Sequence, residues 1–146
     1  MKKFIVFIVG LSVAGLGFFW FYSRHPLTAT VTINGTVWHV EASVTAKEKE
    51  KGLGGRDRLL PLHGMIFVYD HKELYPFWMK GMQFPLDFIW LDGNEIIDVT
   101  QNVGVPAGDV IPVVTPKVPA DKVLEVNAGE AQTYGIKIGD RVLFNK

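Results

Sequence analysis

The chain reads as a mainly β (α+β) protein. The expected form is a compact β-barrel or sandwich of short antiparallel strands with two short helices, preceded by one N-terminal transmembrane helix. Three observations predict this. Residues 4–22 form an apolar run without a charge. Beyond them, short β-rich runs are punctuated by Asn34-Gly35, Asp92-Gly93 and Gly139-Asp140, the dipeptides that tight turns favour. Only two stretches carry helix-cap spacing, and both are brief.

At 1.5 Å per residue, the run 4–22 spans about 28 Å as a helix, close to the hydrocarbon thickness of a bilayer. A helix apolar on every face would otherwise need burial all round, more than the small following domain offers. A cleaved signal peptide is the competing reading, but it needs a shorter apolar core and a small-residue site after it. Here the run ends in Phe18, Phe19, Trp20, Phe21 and Tyr22, and the nearest small-residue site, near Thr28 to Thr30, is poor. The expectation is an uncleaved anchor. Lys2 and Lys3 precede it and only Arg24 follows, so the N-terminus is expected in the cytoplasm and the domain outside, in the periplasm where an outer membrane exists. The expected organisation is a cytoplasmic stub at 1–3, the anchor at 4–22, a linker at 23–27 and an extracytoplasmic β-rich domain at 28–146.

Composition narrows the chemistry. Apart from Lys2 and Lys3, the chain carries 13 basic and 15 acidic residues, a net charge of −2. No basic stripe is present, so nucleic acid is not an expected partner. Cysteine is absent, which removes disulfides, thiolate nucleophiles and cysteine-based zinc sites. Packing alone must then hold a domain placed in an oxidising space.

The elements follow in order. Residues 28–41 surround Asn34-Gly35, and a two-residue loop there pairs Ile33 with Thr36, Val31 with Trp38 and Ala29 with Val40. Those six make one mostly apolar face, so pleat and register agree. Thr45 and Glu48 have capping-box spacing, with Gly52 as a stop, for a short charged surface helix. Strands are expected at 65–69, 77–80 and 86–91, the last turning at Asp92-Gly93 into 95–100. Residues 101–119 hold four prolines and read as a long loop with one edge strand near Val113. A strand at 123–126 precedes a second short helix, started by the Asn127 and Glu130 spacing and closed by Gly135. A turn at Gly139-Asp140 leads to a last strand at 141–144.

The densest stretch is residues 77–93, FWMKGMQFPLDFIWLDG, with GMIFVY upstream at 64–69 and VLEVNAG downstream at 123–129. Together these segments resemble the bacterial and archaeal domain-of-unknown-function family 192. The resemblance carries to Arg56, Gly64, Met65, Trp78, Met79, Lys80, Pro85, Asp87, Glu125 and Gly139-Asp140. It departs at Gly54, where the family usually has Met, and at Gly81-Met82, where it usually has Asn-Thr. By its name, the family implies no activity.

Several groups are candidates for chemistry. A two-residue loop at Asp92-Gly93 would set Asp87 opposite Asp98, a like-charge pair needing a cation, a raised pKa or another register to offset it. A three-residue loop would instead pair Asp87 with Val99. Alternation in a strand puts Trp78 and Lys80 on one face and Phe77 with Met79 on the other, so an aromatic plate beside a cation is a candidate ligand face. Asp70, His71 and Glu73 cluster near His63, but their spacing matches no metal-ligand pattern and reads as a polar turn. No metal and no cofactor are expected. No serine lies in a nucleophile elbow, and GLGGR lacks the lysine of a phosphate loop.

The functional expectation is a membrane-anchored extracytoplasmic module, more a binder than an enzyme. It would take a small molecule or an envelope protein through a site drawn from Arg56, Trp78, Met79, Lys80, Asp87 and Asp98. Two alternatives stand beside it. One is an envelope hydrolase using Asp87 with Asp98 or Lys80 as acid and base. The other is a structural or assembly protein of the envelope.

Overall fold

A computed structural model describes residues 27–145. The expected anchor and most of the linker lie outside the described residues, within which no helix is long and apolar enough to cross a membrane. Among the described residues, nine strands and two short helices follow one another: β1 (Leu27–Ile33), β2 (Thr36–Ser43), α1 (Ala46–Lys51), β3 (His63–Glu73), β4 (Phe77–Trp78), β5 (Leu86–Asp92), β6 (Glu95–Val103), β7 (Val113–Val114), β8 (Ala120–Asn127), α2 (Glu130–Thr133) and β9 (Val142–Asn145). Seven strands form one sheet in the order β6-β5-β8-β3-β2-β1-β9, and β4 with β7 forms a separate ribbon. The large sheet curls into a half-barrel. Its two border strands meet at one end, where Glu95 bridges Arg141 and the Val142 N–H donates to the Asn94 carbonyl at 2.9 Å.

The first hairpin has the register its sequence predicts. Ile33 pairs with Thr36, Val31 with Trp38 and Ala29 with Val40. Asn34 and Gly35 both have positive φ, 50° and 80°, as a type I′ turn requires. The buried side chains Val31, Ile33, Trp38 and Val40 point into the curl. Helix α1 begins with the expected capping box: the Glu48 N–H donates to the Thr45 hydroxyl, and the Thr45 N–H donates to the Glu48 carboxylate.

One pairing departs from the antiparallel expectation, because β2 runs parallel to β3. A parallel pair needs a crossover of about a dozen residues or more. Residues 44–62, holding α1 and the glycine-rich loop, supply it. The expected strand at 77–80 contracts to two residues, β4, paired with Val113–Val114. The turn at Gly81, φ 73°, ends it early.

The second hairpin takes another register than either the two-residue loop at Asp92-Gly93 or the three-residue loop: its turn is slipped by one residue. Asp92 pairs with Glu95, so the loop is Gly93-Asn94. Three contacts hold this turn: Lys72 donates to Asp92 at 2.7 Å, the Gly93 N–H donates to Asp121 at 3.0 Å, and Lys122 donates to the Gly93 carbonyl at 3.1 Å. A shift in register after Leu91 then sets Asp98 opposite Trp90, and a second shift precedes Leu86 opposite Val103. Cross-strand partners share a face. Asp98 therefore lies on the Trp90 side of the sheet, while Asp87, adjacent to Phe88, faces the other way. The opposed carboxylate pair does not exist.

Two apolar layers result. Inside the curl, residues from β1, β2, β3, β5, β6, β8 and β9 pack together and against Ala131 of α2. On the outer face, Met65, Phe67, Phe88, Trp90 and Val123 are covered by Phe77 of β4 and by Leu53, Met79 and Met82 from the loops. Phe77 is the hub of this cover, with edge-on contacts to Phe67 at 4.9 Å and Trp90 at 5.4 Å. Such aromatic pairs contribute about 0.5–1.5 kcal/mol each beyond the area they bury.

Candidate functional site

The outer cover does not close completely. The turn at Gly52 to Gly54 follows α1, and the Gly55 N–H donates to the Gly81 carbonyl at 2.9 Å. The Met79 N–H donates to the Pro112 carbonyl, also at 2.9 Å, and the Met82 N–H to Met79 at 3.1 Å. These bonds stitch three loops into a roof. Space is tight at Gly54 where they converge: a Cβ there would lie 3.1 Å from the Lys51 carbonyl and 3.2 Å from that of Lys80, so the loops would have to shift by a few tenths of an ångström. Beneath the roof is a cavity of about 190 Å³ whose walls include Leu53, Phe67, Tyr69, Phe77, Met82 and Leu86. Lys49, Lys51, Trp78 and Lys80 stand at its rim, and Glu125 also lines it.

Glu125 lies on β8 between Met65 of β3 and Phe88 of β5, on the same face as these apolar neighbours. It is 5% exposed, and among the described residues its carboxyl takes part in no hydrogen bond or ion pair. Burial pushes its pKa up to about 8, while the charge of Arg56 pulls the other way. At neutral pH the group is therefore mainly a neutral acid, able both to donate and to accept. Tyr69, half-buried beside it, has its phenol pushed up to about 12, chiefly by burial, with Tyr75 and Glu125 adding to the shift. Its ring stacks on Tyr75 at 3.7 Å and carries the Lys49 ammonium 4.0 Å from its centre.

The six residues expected from sequence are not gathered at one place. Trp78 and Lys80 do share the rim, with the Lys80 ammonium 5.7 Å from the Trp78 ring, and Trp78 is 53% exposed. Met79 points inward and is buried in the outer layer. Arg56 makes a two-pronged ion pair with Glu41, at 2.6 and 2.7 Å. That hydrogen-bonded pair holds Glu41 below its ordinary pKa and raises that of Arg56. It sits in a neighbouring open groove with His39, Arg58 and His63.

Asp87 is fully buried on the opposite side of the sheet. One oxygen accepts from the Asn102 N–H at 2.7 Å, the other from Gly129 at 2.9 Å and Ala131 at 3.0 Å. It acts as the start cap of α2, since Gly129, at the cap position before the helix, has no side chain to do so. Asn127 is thus not the cap that its spacing to Glu130 suggests. It donates instead to the Glu130 carboxylate at 3.3 Å and to the Leu60 carbonyl. Asp98 is occupied as well, accepting from its neighbour Val99 and from the Lys117 N–H, both at 2.9 Å. Asp70, His71 and Glu73 lie on the exposed end of β3 rather than in a turn, and among the described residues no group of three or more ligands could hold a metal.

Reasoning from sequence placed Trp78 and Lys80 but passed over the cavity behind them. One signal was available. Glu125 is a lone acid within the apolar run Val123, Leu124 and Val126.

A curled sheet with a cavity beneath its outer cover defines the class, and comparison supplies the family. The chain belongs to DUF192, described as "Uncharacterized ACR", whose model matches residues 29–144. Two crystal structures are similar. One, from Novosphingobium aromaticivorans DSM 12444, is of a protein of unknown function. It is 31% identical, with 82% of this chain and 89% of that one covered at a TM-score of 0.73. The other, from Sinorhizobium meliloti 1021, is described as a candidate transcription regulator. It is 29% identical, with 82% and 95% covered at a TM-score of 0.71. A search of curated proteins finds no match.

Proposed function

We propose that the chain is a membrane-tethered, extracytoplasmic binding module that holds a small molecule in the cavity behind Trp78. One observation carries this reading: a recess with apolar walls that is lined also by Glu125, a buried acid whose carboxyl has no protein hydrogen-bond partner among the described residues. A few convergent polar groups in an apolar recess are the usual make-up of a small-molecule site. The tether rests on the uncharged run at 4–22 and the lysines before it.

The hydrolase alternative loses its acid and base, because Asp87 spends its lone pairs on three backbone N–H groups and Asp98 faces the other side. The description of the Sinorhizobium relative as a candidate transcription regulator brings no nucleic-acid reading here, since the chain beyond Lys3 is net negative.

Two measurements test the proposal. The first is ligand binding to the full-length chain in nanodiscs of zwitterionic lipid, with toluene as the minimal apolar probe. Saturable binding, abolished when Leu86→Trp fills the cavity, is expected, and its absence overturns the cavity reading. The second is protease digestion of intact spheroplasts. Degradation of the domain is expected, and its full protection overturns the outward orientation.

A further inference from the structure

Resting on the reading of the cavity as a small-molecule site, we propose that its ligand is an acidic amphiphile. Its anionic head lies among the lysines at the mouth, its apolar body fills the cavity, and an uncharged hydroxyl or amide at the far end meets Glu125.

Size sets the body. A cavity of about 190 Å³ is slightly larger than the engineered one of about 150 Å³ that takes benzene. One ring, or a chain of similar volume, matches that space, whose walls include Phe67, Phe77 and Leu86.

Charge sets the head. The cavity opens beside a groove of about 450 Å³, and the two share Glu50, Lys51, Gly54, Trp78 and Lys80, with Lys47 adding to the groove. With Lys49 on the cavity rim, four lysines face one carboxylate. None of Lys47, Lys51 and Lys80 is in an ion pair among the described residues. An anion arriving there gains Coulomb attraction, whereas an amine must pass four like charges. The half-exposed Trp78 ring supplies an apolar edge beside the Lys80 ammonium.

The floor sets the far end. Arg56 acts on Glu125 by its charge but is already committed to Glu41, and Tyr69, Lys49, Glu50, Lys51 and Lys80 line the same cavity. Glu125 has no hydrogen-bond partner within the protein among the described residues, and a hydroxyl or amide delivered by the ligand supplies one without requiring a second charge in the cavity.

Calorimetry on the full-length chain in zwitterionic nanodiscs tests this with three short series of probes. The acids are 4-hydroxybenzoate, 4-hydroxyphenylacetate and 3-(4-hydroxyphenyl)propionate. The second series has an aminomethyl group in place of the carboxylate, so that each member is an ammonium ion at neutral pH, and the third consists of the acids without the hydroxyl. The best hydroxy acid should bind roughly tenfold tighter than its amine and its deoxy counterpart. Glu125→Gln should change the preference for the hydroxyl, and Lys51→Ala with Lys80→Ala should erase the preference for the acid. Equal binding of amines, or indifference of both preferences to these substitutions, overturns the ligand class. Toluene binding without any hydroxy acid binding does the same while leaving the cavity reading intact. Failure of every probe, toluene included, sinks the cavity reading itself.

Discussion

The carboxylate of Asp87, on β5, accepts the N–H of Ala131, on α2, at 3.0 Å across 44 residues of chain. A strand next to the β6 border of the curled sheet thereby caps a helix that packs against the inner core. The same oxygen accepts Gly129, and the other accepts Asn102, whose φ of 55° bends β6 toward it. Asp87→Asn keeps the size but gives up one acceptor oxygen, leaving buried N–H groups short of a partner. The expected loss is roughly 2–4 kcal/mol in urea denaturation. A catalytic role would instead predict unchanged stability.

Glu125 makes stability depend on pH in a particular direction. Its folded pKa, about 8, lies above the ordinary value of 4.5. Between these values the folded state holds a proton that the unfolded state releases, so this contribution is complete below about pH 4.5 and is lost as pH rises toward 8. The slope within the window is at most about 1.4 kcal/mol per pH unit. Melting temperatures of the wild type and Glu125→Gln, compared from pH 5 to 9, should diverge in favour of the variant as pH rises. Parallel curves would show that Glu125 is not held neutral.

Arg56 moves the upper end of that window. Its charge pulls the folded Glu125 pKa down, so Arg56→Met should leave the onset near pH 4.5 in place but extend the divergence to higher pH and enlarge it. The ion pair with Glu41 is also lost. Both partners are about a third exposed or less, 33% and 26%, and solvent screening limits the direct cost to roughly 1 kcal/mol. A titration of Glu125 followed by carboxyl NMR, with and without Arg56, separates the two effects.

Gly64 allows β3 and β8 to approach. A Cβ there would sit 2.5 Å from the Glu125 carbonyl oxygen, with Leu124 and Val126 each at 3.3 Å. Gly64→Ala must push the strands apart next to the cavity floor, at an expected cost of about 1–3 kcal/mol. Gly35→Ala is a useful contrast. The space at Gly35 is open, and its cost comes only from the positive φ.

Most strands were legible in the sequence, and the first hairpin was legible to the residue. Its apolar alternation and its Asn34-Gly35 turn demand the same register, so local chemistry suffices. The second hairpin misled because Asp92-Gly93 is a good turn locally, yet Lys72, Asp121 and Lys122 hold the chain one residue further on. Those partners come from β3 and β8, and no window around the turn contains them. The site was half legible for the same reason. Alternation put Trp78 and Lys80 on an exposed face. The cavity behind them depends on Gly54, Gly55 and Gly81 bringing distant loops together, and on Glu125 facing outward from a strand more than forty residues away. The parallel pairing of β2 with β3 was also hidden, since strand composition does not encode direction.

The meeting of Glu95 with Arg141 has a consequence for a cysteine-free protein at high local density. An open sheet offers its outermost strands as templates on which other chains can grow. Here those two strands, β6 and β9, occupy one another at one end, and the irregular register of β6 twists the remainder away from a flat edge. Strand-by-strand aggregation finds no long straight border to start from, a safeguard built from backbone geometry instead of from crosslinks.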